Sequence, residues 1–113
     1  GLFLRSQLLG ISKIQVRLKT AKLFMSRALP LGKGDWAMGF SMPTPGSSTS
    51  GDYFSPYSIG HAGFTGTSFW FDPSSDLLVV ILSNRVFLGK ELNDFAKLRP
   101  QIHNWIIEGL RRA

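Results

Sequence analysis

Six consecutive apolar residues, Leu77 to Leu82 (LLVVIL), constrain what this chain can fold into more than any other feature. The run is far short of the roughly 20 residues that a membrane-spanning helix needs. Directly upstream, Thr67, Phe69 and Phe71 alternate with Ser68, Trp70 and Asp72, and DPSSD supplies a turn. Residues from about Ile59 to Leu82 therefore read as strand, turn, strand, an antiparallel hairpin. A returning strand that is apolar at every position demands cover on both of its faces, so helices must pack on the sheet. One is predicted over 98–112. There Pro100 suits a first-turn position, Ile102, Trp105, Ile106 and Leu110 recur at helical spacing, and Arg111 and Arg112 suit the negative helix end. The fold class is α+β, an antiparallel sheet with flanking helices.

The N-terminal third adds helical material. Residues 2–9 (LFLRSQLL) predict a short helix stopped by Gly10, 11–18 a brief extended connection, and 20–28 a second helix with Thr20 as its N-cap, ending before Pro30. DWAMGFSM (35–42), bounded by Gly34 and Pro43, predicts a strand. Residues 43–58, rich in Pro, Gly and Ser, predict a surface loop, long enough to be either mobile or part of a binding rim. The chain thus divides into a basic helical part (1–33), strands with a long loop (34–87) and a C-terminal helix (98–112). At 113 residues it holds one small domain at most. With 43% hydrophobic residues, nine Phe and three Trp among them, it is too apolar to be disordered.

No cysteine is present, which excludes a disulfide framework and thiolate metal sites. His61 and His103 are the only histidines, on separate predicted elements and with no carboxylate at ligand spacing, so neither a metal nor a cofactor is expected. His103 reads as a surface or packing residue of the last helix. The net charge is +6, and Arg5, Lys13, Arg17, Lys19, Lys22, Arg27 and Lys33 all precede the first acidic residue, Asp35. Such asymmetry marks either a footprint for nucleic acid or an anionic membrane surface, or a helical face whose acidic partners lie elsewhere. With no nucleic-acid-binding motif beside it, the second reading is preferred.

Gly60-His61-Ala62-Gly63-Phe64-Thr65-Gly66-Thr67 is the stretch richest in chemical information. Three Gly and two Thr stand where a strand would carry bulky side chains. Glycine there points to a close approach, by a ligand along the strand edge or by another backbone, or else to a bulge or tight bend. His61 by itself reads first as a hydrogen-bonded structural imidazole and only second as a catalytic one.

GHAGFTGTSFWFDPSSDLLVVILSNRV, followed by LRPQIHNWIIEGL, resembles the C-terminal end of the serine beta-lactamase and penicillin-binding protein superfamily, most closely its class C-like branch with esterases and D-amino-acid peptidases. RSQLLGISKIQVRLKTAKLFMS and WAMGFSM resemble the segments that lead to that sheet. The resemblance implies a partial beta-lactamase-like (transpeptidase-like) fold, with His61-Ala62-Gly63 matching the His-x-Gly triplet of the strand that borders the active site. It implies that His61 lies near the attacking serine and tunes proton transfer, that Gly63 keeps the edge open, and that the Phe64 N–H is one of two oxyanion-hole donors, with Thr65 beside the substrate. One such donor typically contributes about 3 kcal/mol to transition-state stabilisation. Ala62 lacks the hydroxyl of the Lys-Thr-Gly form.

The family's Ser-x-x-Lys nucleophile motif does not occur in this chain, and Tyr53-Phe54-Ser55 only formally matches its Tyr-x-Ser element, lying too close to His61. The chain alone is therefore expected to be inactive. Its expected partners are the remainder of the parent hydrolase, a beta-lactam, ester or D-amino-acid peptide substrate, and further copies of itself through exposed apolar surface. The resemblance implies a periplasmic or other extracytoplasmic setting. Two other classes compete: a non-catalytic module holding an extended peptide along the Gly-rich edge, and the basic nucleic-acid or membrane-surface module.

Overall fold

The computed structural model describes residues 16–87 and 94–113; the helix expected over 2–9 lies outside them. The sheet is antiparallel, as expected, but it has three strands. β1 (Ile59–Ala62), β2 (Ser68–Asp72) and β3 (Leu77–Ile81) lie in the order β1-β2-β3. The segment read as a single strand before the DPSSD turn is two strands, because the chain reverses between Ala62 and Ser68. Gly66 sits there at φ +96°, a backbone region that glycine enters without a Cβ penalty, and its N–H closes on the Gly63 carbonyl at 3.0 Å. Of the two readings of the Gly-rich stretch, the tight bend holds for residues 63–67.

The pairing aligns Ala62 with Ser68 and Ser68 with Ile81 at one end of the sheet, and Ile59 with Phe71 and Phe71 with Leu78 towards the other. Alternation then sorts the side chains into two faces. Trp70 and Val79, with Leu77 and Ile81, meet Phe54, Ile106 and Ile107 under the C-terminal helix. Ile59 and Phe71 meet Ala37 and Met42, with Met25 and Phe40 at the rim, on the opposite face. That second layer stops over β1 and β2. Leu78 and Val80 of β3 remain 38% and 53% exposed, so the expected cover on both faces of β3 is not met by the described residues.

α1 (Leu18–Phe24) replaces the helix expected at 20–28. Thr20 is inside it; the N-cap is Arg17, which makes no side-chain cap bond. It ends early because residues 27 and 28 are drawn into pairing with 36 and 37. Ala28 N–H donates to the Trp36 carbonyl at 2.8 Å, and the Arg27 guanidinium meets Asp35 at 2.8 Å. The strand expected over 35–42 is a tight hairpin instead. Gly39, at φ +83°, turns the chain back so that Trp36 faces Ser41 and Met42 N–H reaches the Asp35 carbonyl.

Residues 43–58 contain no helix or strand, as expected, yet they do not hang free on the surface. Phe54, Ser50 and Ser58 are buried. Asn104 of the last helix accepts from Asp52 N–H and donates to the Asp52 carboxylate, both at 2.8 Å, and Ser55 donates main-chain N–H and side-chain O–H to Asp72.

That helix, α2, spans Asp94–Arg112. It begins four residues before the expected start, so Pro100 lies inside it, where the missing N–H removes one main-chain bond. Its buried side chains are Arg99, His103 and Ile107. Trp105 and Leu110, expected on the core stripe, are 59% and 56% exposed. The inward face is rotated because Arg99 and His103, both polar, take core positions. No helix among the described residues is long and apolar enough to cross a membrane.

Candidate functional site

The site is an edge rather than a cavity. Among the described residues β1 is the outer strand, and only Gly60 is covered on its open side, by Ser41: Gly60 N–H donates to the Ser41 carbonyl at 2.9 Å, and Ser41 N–H to the Gly60 carbonyl at 2.7 Å. Main-chain groups two residues apart point the same way along a strand, so those of Ala62 face that open side too. No segment among the described residues pairs with them. His61 projects from the face shared with Ile59 and Phe69 and is exposed. Its ring lies 6.4 Å from the Trp36 ring, tilted by 55°, and among the described residues no hydrogen bond is made to the imidazole.

The turn fixes the peptide that follows. Gly63 N–H donates to the Thr67 carbonyl at 2.7 Å, and the Gly63 carbonyl accepts from Gly66 N–H at 3.0 Å. In a trans peptide the C=O and the following N–H point in opposite directions. With the Gly63 carbonyl drawn into the turn, the Phe64 N–H is aimed out of it, and no main-chain carbonyl among the described residues accepts it. Phe64 itself is 67% exposed. His61, Gly63, Phe64 and Thr65 are thus brought together at one corner of the sheet.

The glycines have local occupants. A Cβ at Gly60 would run into the Phe69 carbonyl and the Trp70 ring, and one at Gly63 would meet the Thr67 hydroxyl at 2.5 Å. Gly60 therefore serves the packing of Trp70, and Gly63 the turn. The Thr65 carbonyl is engaged by the segment after β3, accepting from Arg85 N–H at 2.8 Å. Trp36, Ser41 and Arg85 border the corner and were missed by sequence reasoning. Only Trp36, as an aromatic in a strand-like stretch, left any signal.

The other polar groups lie elsewhere. Tyr53 donates to Glu108 at 2.9 Å on the α2 side of the sheet. It borders a cavity of about 390 Å³ lined also by Ser55, Asp72, Leu77 and Arg111, at the end of the sheet remote from the triplet. Burial raises the Asp72 carboxyl, but hydrogen bonds from Ser55 and Ser74 outweigh it and hold the group below its usual range. His103 is fully buried behind β2, its Nε2 3.5 Å from Ser68 Oγ. Among the described residues no group of three potential ligands could hold a metal ion.

An α+β chain with three antiparallel strands and a long C-terminal helix on one face has the architecture of part of a beta-lactamase-like fold. The chain is similar to a solved beta-lactamase from Mycobacterium bovis, with a TM-score of 0.71 and 21% sequence identity over 96% of this chain and 42% of that one. It therefore spans less than half the length of that enzyme, and likeness at this identity speaks to the fold. No protein-family model and no curated protein matches the sequence.

Proposed function

We propose that residues 59–67 form one wall of the catalytic cleft of a serine hydrolase of the class C-like branch, acting by acyl transfer to serine and then to water. The observation that carries this reading is the Phe64 N–H, turned out of a hydrogen-bonded turn at an open strand edge and left without a main-chain acceptor among the described residues. When a serine hydroxyl adds to a carbonyl, negative charge gathers on the carbonyl oxygen. A donor already aimed at that oxygen stabilises it without reorganising. The second donor would come from the nucleophilic serine, on a segment bearing Ser-x-x-Lys that belongs to the rest of the parent protein. His61, exposed and flanked by Trp36, would border the same cleft and assist proton transfer. The exposed main-chain groups of Ala62 would hold an extended substrate, such as an ester or a D-amino-acid peptide, by strand-like hydrogen bonds.

The test uses the complete gene product that contains this chain, treated with a fluorescent penicillin and an active-site phosphonate. Labelling at the serine of a Ser-x-x-Lys motif is expected, and His61→Ala should slow it roughly 10²-fold while moving the Tm by less than about 3 °C. A folded full-length protein that takes neither label overturns the reading. A His61→Ala variant that loses stability yet labels normally per folded molecule returns His61 to a structural role.

A further inference from the structure

We infer that Arg85 is a positioning residue for the Phe64–Thr65 peptide, which follows directly on the proposed donor, an inference that rests on the hydrolase reading of that corner. The turn that presents the Phe64 N–H is intrinsically loose, since two of residues 63–67 are glycine and glycine has the widest choice of backbone conformations. Its own bond, from Gly66 N–H to the Gly63 carbonyl, ties the two outer peptides, so the central one, Phe64–Thr65, stays in place only if something outside the turn stops it from rotating. The segment after β3 does so.

Arg85 Nε–H donates to the Phe64 carbonyl at 2.5 Å, and its guanidinium carbon lies 4.9 Å from the centre of the Phe64 ring. Its main-chain N–H holds the next carbonyl, that of Thr65, at 2.8 Å, and the Ser83 hydroxyl reaches the same oxygen at 3.4 Å. Gly66 is pressed from the same side: a Cβ there would meet Ser83 Oγ at 2.5 Å and the Phe95 ring at 3.0 Å.

None of these contacts uses the Phe64 N–H, which no main-chain carbonyl among the described residues accepts. Two consecutive carbonyls and one aromatic face are held by a single residue, and a planar guanidinium suits this task. It donates in plane to an oxygen while lying over a ring, which an ammonium on a flexible stem does less well. Among the described residues no carboxylate competes for Arg85. Its side chain is committed to Phe64, the residue that carries the proposed oxyanion donor.

The experiment compares Arg85→Gln and Arg85→Lys with the wild type in the complete gene product. It follows phosphonate acylation, hydrolysis of an ester substrate, thermal melting and amide hydrogen exchange of residues 64–66. Arg85→Gln should lower kcat at least about 10-fold with KM within about twofold, because a misplaced donor harms the transition state more than ground-state binding. Exchange at 64–66 should speed up about as much, and Arg85→Lys should recover part of both losses. Arg85→Gln acting at the wild-type rate, unchanged exchange at 64–66, or a rate loss that merely tracks the unfolded fraction overturns the role of Arg85 while leaving the hydrolase reading intact. A wild type that takes no label overturns both.

Discussion

His103 shows how one buried side chain couples the fold to pH. It has no solvent exposure, its Nδ1 has no hydrogen-bond partner among the described residues, and Arg99 sits one helical turn before it on the same inward face. Burial, with a smaller push from the Arg99 charge, lowers its pKa to about 4, because both disfavour the imidazolium. In the unfolded chain the imidazole titrates near its ordinary value of 6.5. The unfolded state therefore takes up the proton first as the pH falls. The stability due to a neutral His103 is complete above pH 6.5 and drains away between 6.5 and about 4, by roughly 3 kcal/mol in total. Denaturant unfolding at pH 7, 5.5 and 4 should show this slope, and His103→Leu should flatten it. A wild-type slope that survives the substitution would assign it to other groups, the Asp72 carboxylate first, whose lowered pKa acts at more acidic pH.

Among the elements, the loop 43–58 and α2 depend on one another. The loop has no main-chain ladder of its own, so Asn104, held by Asp52 from both ends of its amide, and Ser55, held by Asp72, fasten it to α2 and β2. Its Phe54 then completes the layer against Trp70 and His103. Asn104→Ala removes both bonds to Asp52. It should cost about 1–2 kcal/mol and expose the loop to proteolysis before the rest of the chain unfolds. Equal protease resistance in the variant would show that Phe54 alone anchors the loop. The same layer rotates α2: of the expected stripe, Ile106 packs at the core while Trp105 and Leu110 face outward, since Arg99 and His103 have aromatic neighbours, Phe95 and Phe54, that make their burial tolerable.

For the whole molecule, the decisive fact is that the second layer is incomplete among the described residues. β3 is an edge strand, and on the face opposite α2 its Leu78 and Val80, followed by Leu82 at 82%, stay exposed. An unpaired edge beside an apolar strip favours pairing with another chain. The isolated 113-residue chain should therefore self-associate in light scattering, and Val80→Lys with Leu82→Lys should shift it towards monomer. A clean monomer for the wild type would mean that this strip is tolerated by water. The apolar run Leu77–Leu82, the alternation through Ser68–Asp72 and the DPSSD turn determined the hairpin and the α+β class by themselves, because strand pairing and turns are written in neighbouring residues. His61-Ala62-Gly63 was legible as a motif for the same reason. That the glycines after it turn the chain, that Trp36 flanks His61, that Arg85 grips Phe64 and that His103 is sealed behind Ser68 were decided only in three dimensions. Apart from the turn, each joins residues 21 or more positions apart, and no local propensity encodes which distant side chain fills the space a glycine leaves.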